Sequence, residues 1–175
     1  MTSWLEYFAW RLFRFSRRLN LQGLLRPGSP TRMFRDYFPG FEKVEAVRRL
    51  FGERTEEVLG NLRVEFIWFG YMGVDNEDGH LMVNERYLHS GGKEEIYLDI
   101  IHELVHVRQH MEGKDLFDPA YAYVDRPTEI EAYGYAVEEA RRLGWTDAEI
   151  CVYLKADWMS DADVKRLAKH IQVQC

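Results

Sequence analysis

Apolar positions along this chain follow two periods, one helical and one alternating. From Lys93 to His110, Ile96, Ile100, Ile101, Leu104 and Val105 recur three and four apart, the spacing of an amphipathic helix that buries one side. Ser90-Gly91-Gly92 before it reads as a turn. Glu94 and Glu95 place negative charge where a helix N-terminus favours it, and Gly113 is a plausible stop. The alternating period appears at Leu62 to Met72. There Leu62, Val64, Phe66 and Trp68 alternate with Arg63 and Glu65 before the run becomes wholly apolar, as expected of a strand. Residues 73–79 form a polar turn, and His80 to Asn84 read as a second strand.

The remaining elements carry start and stop signals. Glu42 to Phe51 and Glu56 to Gly60 read as short helices. Leu116 to Val124 is aromatic and irregular. A helix runs from Pro127, a residue suited to a first turn, through Ala132, Ala136 and Ala140 to Gly144. Thr146-x-x-Glu149 is a capping box, and Ser160 is an N-cap for a last helix containing Val164, Leu167 and Ile171. Gly23 to Pro39 reads as a connector. Before it, Trp4 to Leu19 forms a helix with Trp4, Leu5, Phe8, Leu12 and Phe15 on one arc and Arg11, Arg14, Arg17 and Arg18 opposite. The expected class is α+β: a hairpin forming a small antiparallel sheet, packed on the long helix and on further helices.

Composition and charge narrow the picture. The 175 residues suit one domain, and 46% apolar with 14% aromatic content supports a substantial core. Residues 1–35 hold seven Arg and one Glu, while the rest hold 16 Lys and Arg against 28 Asp and Glu. This divides a basic N-terminal segment, 1–35, from an acidic body, 36–175. An acidic body argues against nucleic acid as a partner. The basic helix either packs on the domain or docks on anionic lipid or a protein partner. Cys151 and Cys175 lack metal-ligand spacing and read as free thiols in a reducing, cytoplasmic compartment, with peripheral membrane attachment left to residues 1–19.

The candidate chemistry lies on the long helix, in His102-Glu103-x-x-His106. Residues four apart in a helix sit about 40° apart around the axis and about 6 Å along it. Two imidazoles so placed can share one Zn²⁺, with Glu103 beside the metal to take a proton from water. A hydrolytic zinc usually has three protein ligands. His110 lies one further turn along and does not converge with the pair. Glu129, 23 residues after His106 on the next predicted helix, is the preferred third ligand, with Glu131 as its rival. The Asp75/Asn76/Asp78 cluster lacks the loop length and closing Glu of an EF-hand and reads as a turn. His80 and His89 read as ordinary polar residues.

HELVHVRQH followed by RPTEIEAYGYA resembles the small gluzincin-type metallopeptidases, in particular the ImmA/IrrE-like group, over residues 62–143. The family's Glu-x-x-Ala frame falls on Glu129 and Ala132, and Thr128-x-x-Glu131 offers Glu131 a capping role instead. The resemblance implies a zincin-like (minigluzincin) domain. It also implies zinc on His102, His106 and Glu129, Glu103 as general base, and a peptide or protein substrate. The family often has Asp or Asn where this chain has Tyr133. Tyr121, Tyr123, Tyr133 and Tyr135 are the candidate donors to a transition-state oxygen, and the strand His80 to Asn84 is the candidate edge for an extended substrate. The competing expectation is a zinc-stabilised, non-catalytic module that binds through its cleft or its Arg-rich helix.

Overall fold

The long apolar run at 62–72 does not stay one strand. In the structure, a computed structural model that describes residues 31–68 and 70–175, the run divides into β2 (Arg63–Ile67) and β3 (Met72–Val74). Gly70 between them has φ +78°, a conformation that favours glycine. The chain thereby leaves β2, and β3 pairs with the far side of β4 (Leu81–Asn84). β4 itself runs parallel to β2, with Val64 opposite Leu81 and Ile67 opposite Asn84. β1 (Thr31–Met33) pairs antiparallel with β2, so part of the expected connector is a strand.

The sheet order is β1-β2-β4-β3. This corrects two expectations. The sheet is mixed, not antiparallel, and the strand at His80–Asn84 is central. Its four residues are buried, as a strand flanked on both sides requires. The edge nearest the long helix is β3.

Short helices α1 (Phe34–Tyr37), α2 (Glu45–Phe51) and α3 (Thr55–Asn61) precede β2. After β4 come α4 (Glu85–Ser90), α5 (Lys93–Met111), α6 (Pro127–Arg142), α7 (Asp147–Leu154) and α8 (Asp161–His170). Two apolar clusters meet at α5. One joins Val64, Leu81 and Val83 of the sheet to Phe34, Val47 and Leu59 and to Ile101, Leu104 and Val105 of α5. The other joins Leu98 of α5 to Ala136 and Ala140 of α6, Ile150 and Leu154 of α7, and Leu167 of α8. The long helix is therefore buried on most of its circumference, not on one side. Its polar residues in that interior, His102, Glu103, His106 and Gln109, must answer each other.

The capping box at Thr146/Glu149 and the N-cap at Ser160 are present, and Asp163 turns the latter into a second capping box. The box expected at Thr128 is absent: α6 starts one residue earlier, at Pro127 with Arg126 as N-cap, so Thr128 is already inside the helix. The free-thiol expectation is also overturned. Cys151 and Cys175 form a disulfide, with Cα atoms 5.7 Å apart. The tail after α8 turns back along α7, held by Arg141 to the Gln172 carbonyl (2.6 Å) and by the Gln174 amide to Asp147 (2.8 Å), which brings the two sulfurs together. Cysteine usage therefore no longer argues for a reducing compartment. Among the described residues no helix is long and apolar enough to cross a membrane. The basic helix expected at residues 4–19 lies outside the described residues.

Candidate metal centre

The i, i+4 spacing on α5 brings the two histidines together as expected. His102 Nε2 and His106 Nε2 stand 3.0 Å apart. Glu129, in the first turn of α6, enters from across the helix pair. Its Oε2 is 3.4 Å from each of these nitrogens. All three side chains are buried. A metal bound at about 2.0–2.1 Å in tetrahedral geometry has ligand atoms about 3.3–3.4 Å apart. The three edges therefore fit a bound metal ion, and the donor set of two imidazoles and a carboxylate suits a divalent one. His110 takes no part. Its ring packs against Gly79, where an added Cβ would lie 2.5 Å from His110 Nδ1.

The electrostatics of the triad are mutual. Burial works against charge on His106, but the Glu129 carboxylate outweighs it and the imidazole is pushed up to about 8. Burial likewise raises Glu129, yet the charge of His106 and the contacts of both imidazoles hold it below the ordinary carboxylate range.

Gln109 orients His106 and was not anticipated from the sequence. It is fully buried. Its amide nitrogen donates to the Thr128 carbonyl (3.0 Å) and to Glu131 Oε2 (2.8 Å), so its oxygen must face His106 Nδ1, at 2.7 Å. His106 then carries its proton on Nδ1 and offers the Nε2 lone pair to the centre. The only hint in the sequence was a glutamine one turn beyond a candidate ligand on a predicted core helix.

Glu131 has a structural role, though not that of a cap. It accepts from Arg108, Gln109 and Lys114. Burial raises its carboxyl, and these hydrogen bonds bring it below the ordinary value. Glu129, not Glu131, is the residue that joins the histidines. Where the resembled family places Asp or Asn, Tyr133 packs its ring against His102 at 4.4 Å. His102 is thus held by packing, and its Nδ1 has no hydrogen-bond partner among the described residues.

Glu103 and the triad line a cleft of about 1110 Å³. Glu103 Oε2 is buried and has no hydrogen-bond partner among the described residues. Of the four candidate tyrosines, Tyr135 is excluded: its ring packs in the sheet-side cluster beneath Arg49 and Arg108. Tyr121 lines the cleft but is 45% exposed. Tyr123 and Tyr133 line it as a pair, hydroxyl to hydroxyl at 3.0 Å. Burial raises both hydroxyls, which keeps them protonated. One proton joins the pair, so the other remains available to a ligand.

His80 departs from expectation. Its Nε2 meets Glu65 (2.8 Å) and its Nδ1 meets Asp78 (2.5 Å). Asp75, Asp78 and His80 present ligand-type atoms within 4.8 Å of one another. The expected turn is nevertheless there. Asp75 Oδ1 accepts the Glu77 amide (2.8 Å), and the Asp75 carbonyl accepts that of Gly79 (2.9 Å).

Comparison of the chain with family models, with curated proteins and with solved structures returned no match.

Proposed function

We propose that this protein is a zinc-dependent metallopeptidase of the gluzincin type. The observation that carries the reading is the buried triangle of His102, His106 and Glu129 with Glu103 lining the same cleft. The three ligands would hold Zn²⁺, which supplies Lewis acidity toward water and the scissile carbonyl. Glu103 takes the proton of the attacking water and returns it to the leaving amine. The spare proton of the Tyr123–Tyr133 pair is donated to the carbonyl oxygen as negative charge develops there. Edge strand β3, whose Met72 and Val74 line the cleft, offers backbone groups to an extended peptide. Gln109 keeps His106 in the tautomer that binds metal. The tyrosine proton and the Glu103 carboxylate beside the triad favour hydrolysis over a zinc-stabilised binding module.

The test combines metal analysis with cleavage of a broad peptide library. The protein is expected to carry about one zinc per chain, and Glu103→Gln to keep that zinc while losing cleavage. Full zinc retention by both His102→Ala and His106→Ala would refute the centre. Equal cleavage by wild type and Glu103→Gln would refute hydrolysis at it.

A further inference from the structure

The cleft carries a second group of residues that hydrolysis does not use. Asp99 lies on α5 three residues before His102 and four before Glu103. It therefore stands on the same side of the helix, about one turn away. Its carboxylate lines the cleft. Oδ2 accepts the Tyr87 hydroxyl and Oδ1 that of Tyr153 at 3.0 Å. Burial raises this carboxyl, and the two hydroxyls oppose that by favouring its charged form; two accepted hydrogen bonds do not exhaust the acceptor positions of a carboxylate. Among the described residues no lysine or arginine pairs with Asp99.

The surroundings are aromatic. The Tyr71 ring meets that of Tyr87 at 5.5 Å and that of Trp158 at 5.6 Å, and all three side chains line the cleft with Tyr153. Aromatic faces attract cations.

The wider charge has the same sign. Among the described residues, the other carboxylates lining the cleft besides Glu103 and Glu129 are Asp75, Glu77, Glu95, Asp99 and Asp157, and the basic side chains lining it are Arg126 and Lys155. Both of these cations are turned to carboxylates of the chain itself: Arg126 to Glu129 at 3.4 Å and Lys155 to Asp161 at 2.6 Å. A concave acidic surface concentrates positive ligands.

We propose that Asp99, walled by Tyr71, Tyr87, Tyr153 and Trp158, is a subsite for the basic side chain of a substrate arginine or lysine close to the scissile bond. The substrates are then basic peptide segments. A guanidinium fits this site better than an ammonium, because it can lie against a ring while donating to the carboxylate. The inference rests on the peptidase reading for its setting. Capture of the cation needs no turnover, however, so the two can fail separately.

The test uses the full chain with zinc and Glu103→Gln, which prevents turnover. Fluorescein-labelled hexapeptides with a central arginine, or with citrulline as its neutral isostere, are titrated by anisotropy. The arginine peptide is expected to bind at least tenfold more tightly, and Asp99→Asn to bring the ratio below about threefold. Equal affinity for the two peptides overturns the proposal, whatever the folding of the Asn variant. A ratio unchanged in folded, zinc-loaded Asp99→Asn overturns it as well. Mapping library cleavage by wild type separates the two readings. No cleavage with the arginine preference intact removes the peptidase function and leaves the cation subsite standing. Cleavage without a basic preference removes the subsite.

Discussion

Replacing Gln109 by leucine, a side chain of similar size, removes the acceptor that holds His106 Nδ1–H and leaves the ligand itself in place. Of the three hydrogen bonds lost, two leave partners that are otherwise engaged. The Thr128 carbonyl lies in a helix, and Glu131 keeps Arg108 and Lys114. The third leaves His106 Nδ1–H buried without an acceptor, since the Gln109 oxygen at 2.7 Å is its partner. An orphaned buried donor costs about 1–3 kcal/mol. In a chain of this size each kcal/mol lowers Tm by about 2–4 °C, so the metal-free variant should melt about 2–12 °C below wild type. Losing the orienting partner of a ligand histidine typically weakens metal binding about 10–100-fold. Chelator competition measures the zinc affinity and calorimetry the melting. Zinc affinity within twofold of wild type, in a variant that melts normally, would refute the orienting role of Gln109.

Further outcomes follow from the same geometry. Glu129→Ala should abolish stoichiometric zinc binding, whereas Glu131→Ala should keep zinc and cost on the order of 1 kcal/mol, since the Glu131 side chain is a third exposed; the reverse ranking in a zinc titration would move the ligand role to Glu131. His106 is pushed up to about 8 in the metal-free protein, so its contribution to stability is full below about pH 6.5 and is lost as pH rises through about 8. Metal must displace that proton, so zinc affinity should rise about tenfold per pH unit up to about pH 8 and then level; a flat profile between pH 6 and 8 would remove the His106–Glu129 coupling. Glu129 is held below its ordinary value, so its contribution is present above about pH 4.5 and is lost on acidification, seen as a falling Tm. The Cys151–Cys175 bridge closes a separation of 24 residues, and loop-closure entropy makes it worth about 3 kcal/mol; thiol titration of unreduced protein should find no free thiol, and Cys175→Ser should lower Tm.

What was legible in the sequence is what neighbouring residues decide among themselves. The helical period from Ile96 to Val105 places α5, and the four-residue step brings His102 and His106 together without help from the rest of the chain. The boxes at Thr146 and Ser160 are equally local, each closing within four residues. Glu129 could be nominated because it lay near the start of the next predicted helix. Only the packing of α6 on α5 decided between it and Glu131, because two residues in a helix lie about 200° apart around the axis and face different surroundings. The same packing made Gln109 the support of His106 and excluded Tyr135 from the cleft. The sheet was the least legible part. An alternating pattern reports which faces are buried but carries no record of which strand lies alongside, so the turn at Gly70 and the parallel pairing of β2 with β4 went unread. The disulfide was hidden for a related reason. Cys151 and Cys175 are 24 positions apart, and only the return of the tail along α7 sets them side by side.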